Sequence, residues 1–267
     1  MKRKILGYAV SSVFLIILWY LISLFFKTFL LTNQGHFFPS PFEAIQALVS
    51  NWEHFLSHLF GTSYRLLISM GIALFFAIPL GLFIGYKQWA KRYLTPLVYT
   101  IYPIPQIVFW PAIFLVLGYL FGLEELARIL FITLIIFFQL LVSIRDSAAN
   151  LPRDYITIAL VSGVRPFKMY TEVLLPGTLP EVFSSLRVSI GIGLFASYVA
   201  EATFRPADEQ AFKGLGYYID LAFGWNTRGM YAGILALAIL GIILYLILEL
   251  LEYRLCRWKR FQIDSED

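Results

Sequence analysis

Chemistry-bearing residues are scarce in this chain: 267 residues contain one cysteine, Cys256, and three histidines, and charged residues make up only 14%. A single thiol excludes an internal disulfide framework, and neither C-x-x-C nor H-x-x-H occurs to suggest a metal cage. His36, His54 and His58 all fall between the first two apolar runs. His54 and His58 have helical i, i+4 spacing, but two imidazoles without a third ligand make a poor metal site, so they read as interfacial or surface residues. No G-x-x-x-x-G-K-[ST] is present, and the polypeptide therefore lacks a loop of its own for cradling nucleotide phosphates. Acids are nearly missing from the middles of the apolar runs, which speaks against the alternative of a stand-alone secondary carrier with ion-coupling carboxylates. No cluster of His, Asp or Glu at one membrane depth points to a membrane-embedded enzyme.

Apolar surface is what the chain has in abundance. Hydrophobic residues account for 59% of it and the mean hydropathy is +0.74, values of a membrane protein rather than a soluble domain. The first partner is a lipid bilayer, and the fold class expected is all-α, a polytopic membrane protein with six transmembrane helices. A span needs about 20 apolar residues. The first runs from about Ile5 to Phe26, too long for a signal-peptide core and followed by no small-x-small cleavage site, so it reads as retained. A second run lies between Arg65 and Lys87 and a third between Arg92 and Glu124. The third contains Pro96, Pro103, Pro105 and Pro111, which remove amide donors and clash with the preceding turn, so this span is expected to start late or kink. The fourth, Ile129 to Ile144, borrows residues from Leu126 onward, with Arg128 snorkelling to the interface. The fifth covers about Leu179 to Ala200 and the sixth about Gly229 to Leu248.

Lysines and arginines of the short loops set orientation. With the N-terminus inside, the internal segments collect Lys2, Arg3, Lys4, Lys87, Lys91, Arg92, Arg145, Arg153, Arg165, Lys168, Arg254, Arg257, Lys259 and Arg260, whereas the external ones hold Lys27, Arg205, Lys213 and Arg228. The bias puts both termini in the cytoplasm. It also accounts for the net charge of +4 without any nucleic-acid partner.

The loop between spans four and five then lies in the cytoplasm, and it is unusual. Asp154 is a good N-cap after Pro152 and Gly163 a natural stop, so a short helix is expected between them, carrying Tyr155, Ile156, Ile158, Ala159, Leu160 and Val161. Pro166 suits the first turn of a second helix that ends near Pro176. An apolar helix too short to cross a bilayer must be covered, either by the ends of its own bundle or by a groove on another protein.

The spacing Gly163, nine residues, Val173, any residue, Leu175, Pro176 resembles the EAA-loop signature of permease subunits in ATP-binding-cassette importers. The stretches FFPSPFEAIQAL, YPIPQIVFWPAIFLVLG, VLLPGTLPEVFSSLRVSIG, YVAEA and GLGYYI are similar to the branch that handles nitrate, sulfonates and taurine. The Glu-Ala-Ala that names the loop falls on Thr157, Ile158 and Ala159, and the external segment 201–216 looks longer than usual. The resemblance implies a type I importer permease fold with a cytoplasmic coupling helix between spans four and five. It divides the chain into an N-terminal helix and external linker over 1–60, a core permease domain over 61–251 with its coupling loop at about 145–178, and a cytoplasmic tail over 252–267. It also implies a small solute as cargo, nitrate-, sulfonate- or taurine-like or a vitamin precursor. The partners implied are a second permease copy forming a homodimer, two cytosolic ATPase subunits and an extracytoplasmic solute-binding protein, all at a prokaryotic inner membrane. No cofactor is expected in this chain, because ATP and magnesium belong to the separate ATPase.

In that frame the coupling residues are Asp154, Tyr155, Thr157, Ile158, Ala159, Gly163, Val173, Leu175 and Pro176. Candidates for the path or gate are Tyr99, Tyr102, Gln106, Trp110, Arg187 and Glu201, since charges inside spans are costly and functional by default. Interface snorkelling is the competing reading for Arg187, Glu201 and Arg65. Gly191 and Gly193 allow close helix approach, at a dimer axis or within the chain.

Overall fold

The computed structural model describes residues 2–29, 38–203 and 213–258, and every regular element among them is helical. Helix α1, Lys2–Phe29, covers the first expected span, and α2, Pro41–Ser50, follows it as a short amphipathic helix. α3, Trp52–Tyr86, contains the second apolar run, with Pro79 inside it. The third run is broken as its prolines demand. α4, Gln88–Ile101, ends ahead of Pro103 and Pro105; a 3-10 turn, Gln106–Phe109, leads into α5, Trp110–Ile113, and a π turn, Phe114–Leu120. The two arms of this segment meet at 75°. Next come α6, Glu124–Ala149, and α7, Arg153–Val161.

The second loop helix begins at Pro166 as expected but does not end at Pro176. α8, Pro166–Lys168, the π turn Met169–Leu174 and α9, Leu175–Ala202, form one helix of 37 residues. The physical reason is the π turn: Leu175 donates its amide to the carbonyl of Tyr170, five residues back. This wider turn shifts the hydrogen-bond register just where the Pro176 ring would meet a regular α-helical carbonyl. α10, Leu215–Ala222, and α11, Thr227–Leu255, complete the order. Among the described residues four helices are long and apolar enough to cross a bilayer, five with the bent segment as one span. The remaining expected span, the first, corresponds to α1, in which the described residues Val13–Phe29 form a shorter apolar helix.

The chain divides into two compact units, one drawn from Met1–Thr62 and Glu201–Ile239, the other from Ser63–Ala200 and Leu240–Asp267. In the first, Phe55, Leu215, Ala232 and Ala236 form a buried core with Tyr218 and Leu59 against it. α1 is tied to the entry of α2 by Trp19 Nε1 donating to Pro39 O at 3.1 Å and Ser23 Oγ donating to Phe38 O at 2.9 Å. α2 opens on a capping box: Glu43 N donates to Ser40 Oγ, and Ser40 N donates to Glu43 Oε2 at 2.7 Å. Lys27 and Arg228 converge on the same carboxylate at 2.7 and 3.3 Å. In the second unit α3 packs tightly on α6. A Cβ at Gly85 would stand 2.5 Å from Arg145 O and 2.7 Å from Ala148 Cβ, and one at Gly81 would meet Ile144 at 2.8 Å. Gly193 is likewise used inside the chain, facing Leu66 and Ile136, while Gly191 faces open space.

Two tests follow from this packing. Gly85→Ala is expected to cost about 1–3 kcal/mol through overpacking against backbone, whereas Gly71→Ala, where nothing lies within 4 Å, leaves stability unchanged or raised; thermal unfolding in detergent distinguishes them. For Glu43, burial on its own raises the pKa, but Lys27 and the backbone and hydroxyl of Ser40 outweigh it and bring the carboxyl down to about 2. Its stabilising effect is complete above the ordinary value of 4.5 and is lost as pH falls through about 2. The difference in unfolding temperature between wild type and Glu43→Gln should therefore shrink over that interval.

Candidate functional site

α7 starts two residues earlier than a cap at Asp154 would place it. Pro152, with φ −53° and ψ 130°, occupies the N-cap, and Asp154 lies in the first turn, where its charge suits the positive end of the helix dipole. The stop at Gly163 holds. Its φ is +71°, Val164 N donates to Ala159 O and Gly163 N to Leu160 O, both at 3.1 Å, which is a Schellman cap. Of the apolar residues on this nine-residue helix only Ala159 is buried. Tyr155, Ile158, Leu160 and Val161 are exposed, Val161 by 84%. α7 rests on the π turn Met169–Leu174, where Met169 and Leu174 are fully buried.

Beside α7 opens a cavity of about 1070 Å³. Tyr155, Ile158 and Ala159 face it from α7, Val173 and Pro176 from the long helix, and Asp146, Glu172 and Glu181 give it an acidic lining. Leu175 and Thr157 are not part of that wall. The signature residues are thus brought together on α7 and the helix it rests on, apart from Thr157, which lies on another face.

The candidate path residues separate into two groups. Tyr99 donates to Asp146 at 2.8 Å and receives the Arg145 guanidinium at 3.2 Å; Tyr102 donates to Gln139 Oε1 at 2.9 Å, and Gln106 Nε2 donates to Tyr102 O at 3.1 Å. All three line one partly open polar seam between the α4 arm and α6. Trp110 lies elsewhere, buried to 2% exposure between Phe131 and Phe114. Arg187 forms an ion pair with Glu252 and stands 5.9 Å from the Tyr245 ring centroid. Glu201 is 2% exposed; Thr62 Oγ1 donates to it at 2.8 Å and Gly216 N at 2.9 Å, so it holds the first turn of α10. Snorkelling is replaced by internal pairing at each of these charges.

The same correction applies to Arg65 and Arg128. Arg65, 1% exposed, makes a bidentate bond with Glu125 at 2.7 and 2.8 Å, and Arg128, 3% exposed, reaches Glu125 at 2.8 Å and Glu124 at 3.3 Å. Tyr64 and Ser69 add hydrogen bonds to Glu125 and to Ile129 O. Sequence reasoning passed over the two glutamates. The signal was available: α3 and α6 run parallel, with residue 65 beside 125 at one end and 85 beside 148 at the other, so the charges that open the second and fourth runs face each other. His58 is a second correction. It is buried rather than superficial, with Nδ1 2.7 Å from Lys213 O and 3.2 Å from Gly214 O.

An all-helical membrane protein with a broken third span, internally paired charges and an exposed apolar loop helix has the anatomy of a transport permease. Residues 77–257 match the family of binding-protein-dependent transport system inner membrane components, and the chain belongs to that family, the permease subunits of ATP-binding-cassette importers. It is similar to the taurine transport system permease protein TauC of Escherichia coli, 27% identical over 83% of this chain and 80% of that protein. It also resembles the formylaminopyrimidine transport permease protein ThiX of Halalkalibacterium halodurans, 25% identical over 86% and 89%, and the putative aliphatic sulfonates transport permease protein SsuC of Bacillus subtilis, 25% identical over 83% and 78%. Among solved structures the fold is similar to a chain of the inward-facing MetNI methionine ABC transporter, with a TM-score of 0.60 at 18% identity over 76% of this chain and 94% of that one.

The ionic cluster yields a test. Glu125→Gln leaves a buried guanidinium without its full counter-charge and is expected to cost about 2–3 kcal/mol, below the range of a wholly buried pair because Glu125 is partly exposed. Arg65→Met combined with Glu125→Met should recover part of that loss, as read by a double-mutant cycle in detergent unfolding.

Proposed function

We propose that two copies of this chain form the translocation path of an importer for a small solute, handed over by an extracytoplasmic binding protein and driven by two separate cytosolic ATPase subunits that hold ATP and magnesium. The observation that carries this reading is α7: a capped helix of nine residues, too short to span a bilayer, with Tyr155, Ile158, Leu160 and Val161 exposed outside any span. A groove on each ATPase covers these side chains and moves α7, and with it the long helix it rests on. ATP closure then biases a two-state bundle between inward- and outward-open forms. The loop charges favour an orientation with both termini and α7 in the cytoplasm. Core permease function falls to residues 61–251, with 1–60 an accessory helix and linker and 252–267 a tail.

Within the path, Tyr99, Tyr102 and Gln106 offer hydroxyl and amide groups to a polar cargo, Trp110 supports the bend behind them, and the Arg187–Glu252 pair closes one end. Glu201 steadies α10. The named relatives transport taurine, aliphatic sulfonates and formylaminopyrimidine. A solute of that kind, small and polar, is the cargo we assign here.

Two variants test the coupling role. Proline cannot adopt the positive φ of Gly163, so Gly163→Pro destroys the cap; Val161→Asp leaves the helix intact and charges its most exposed apolar position. Both should insert into membranes normally and lose co-purification with the ATPase, and proteoliposomes containing the chain alone should not transport. Normal assembly of both variants, or uptake without an ATPase, refutes the assignment.

A further inference from the structure

On the face of α7 away from the acidic cavity lies a second one, of about 680 Å³, between the α3–α4 turn and the segment joining α6 to α7. Its lining has the opposite sign. Lys87, Lys91 and Arg153 contribute three cations and Thr157 a hydroxyl, and no carboxylate reaches the wall. These three cations form no ion pair among the described residues. Lys87 stands over the Tyr86 ring at 5.5 Å, a contact that leaves its charge uncompensated. The floor is formed where Gly85 lets α3 close on Ala148, so the walls are set by tight helix packing rather than by loop mobility.

The cavity lies where α3 leaves its apolar run at Tyr86 and where α6 ends, the level of a membrane surface whichever way the chain is inserted. Trp89, held edge-on against Phe83 at 5.5 Å, is 55% exposed at its mouth, and Tyr93 is 68% exposed one turn further along. A smaller hollow lined by Trp89, Lys91, Arg92 and Tyr93 adjoins it. Leu97 continues an exposed apolar strip along α4. Amphipathic aromatics beside clustered lysine and arginine are the side chains that settle at a headgroup layer, and basic pockets between helices at that level recognise lipid phosphates.

We propose that this cavity binds the phosphate headgroup of an anionic phospholipid, with Lys87, Lys91 and Arg153 around the phosphate, Trp89 and Tyr93 at the glycerol level, and the acyl chains along α4. A free phosphate would satisfy the cations but leave the aromatic rim and the apolar strip without a partner. Because Arg153 opens α7 and Lys87 closes α3, a bound headgroup ties the loop helix to the bundle end.

Native mass spectrometry of the purified full-length chain tests this, with dioleoyl-phosphatidylglycerol and dioleoyl-phosphatidylcholine as probes and inorganic phosphate as competitor. Wild type should retain phosphatidylglycerol about tenfold better than phosphatidylcholine. Lys87→Gln/Lys91→Gln/Arg153→Gln should lose that preference, and the charge-keeping Lys87→Arg/Lys91→Arg should hold it, showing that charge and not misfolding is responsible. Equal retention of the two lipids by wild type, or an undiminished preference in the triple variant, overturns the proposal. So does displacement by millimolar phosphate, which would make it a free-anion site. A triple variant that keeps its lipid preference but loses ATPase association would assign the cations to an acidic protein face instead, a result separate from the Gly163→Pro and Val161→Asp outcomes.

Discussion

A lipid tail is as apolar as leucine, so hydrophobic burial does not by itself tell a helix in a bilayer where its neighbour is. What remains is close approach of small residues and pairing of the few polar groups, and the second unit is organised by both. Gly81 and Gly85 let α3 meet the backbone of α6, Gly193 admits Leu66 and Ile136, and Ser143 shares a hydrogen bond with Ser185 between α6 and α9. At the other end Arg65 and Arg128 share Glu125, which locks α3 and α6 in register along their length. Each of these contacts specifies one partner, where any leucine would accept lipid.

A frame fixed in this way gives the loop helix something rigid to act on. α7 is capped by the Gly163 turn and seated on buried Met169 and Leu174, which belong to the opening turns of the 37-residue helix Pro166–Ala202. No flexible hinge separates the seat from the span. Under the coupling reading a displacement of α7 is delivered to the long helix directly, including the turn that carries Arg187 and its pair with Glu252. The π turn has a second consequence: it carries the helix through Pro176 and Pro180, so the signature's proline marks a shifted register rather than an end.

Much of this was legible in the sequence, and most of the failures share a cause. The spans, the break at Pro103 and Pro105 and the stop at Gly163 are local effects, decided by a run of apolar residues, a missing amide or a positive φ. Arg65 and His58 were misread because their partners are distant in the chain, Glu125 being 60 residues from Arg65 and Lys213 155 from His58, whereas Arg128 was misread although Glu124 and Glu125 lie within one turn of it. Snorkelling is the default for a charge whose partner is unseen, and folding supplied the partners. Trp110 shows the complementary limit: an aromatic on a broken helix can turn to either side, and here it packs on Phe131.

The departure from the family signature at Thr157 also acquires a physical meaning. α7 separates an acidic cavity, lined by Asp146, Glu172 and Glu181, from a basic one holding Lys87, Lys91 and Arg153, and Thr157 faces the basic side. A glutamate at this position would stand among those three cations and neutralise one of them, giving the helix an internal brace and an acidic docking group. Threonine leaves the positive charge intact and open to an external anion, while the surfaces left for a protein partner are the apolar ones of Tyr155, Ile158, Leu160 and Val161. Under the coupling reading, docking in this chain rests on burial more than on charge. Such an interface strengthens with the apolar area covered and is little affected by salt, in contrast to one held by exposed ion pairs, which ionic strength screens.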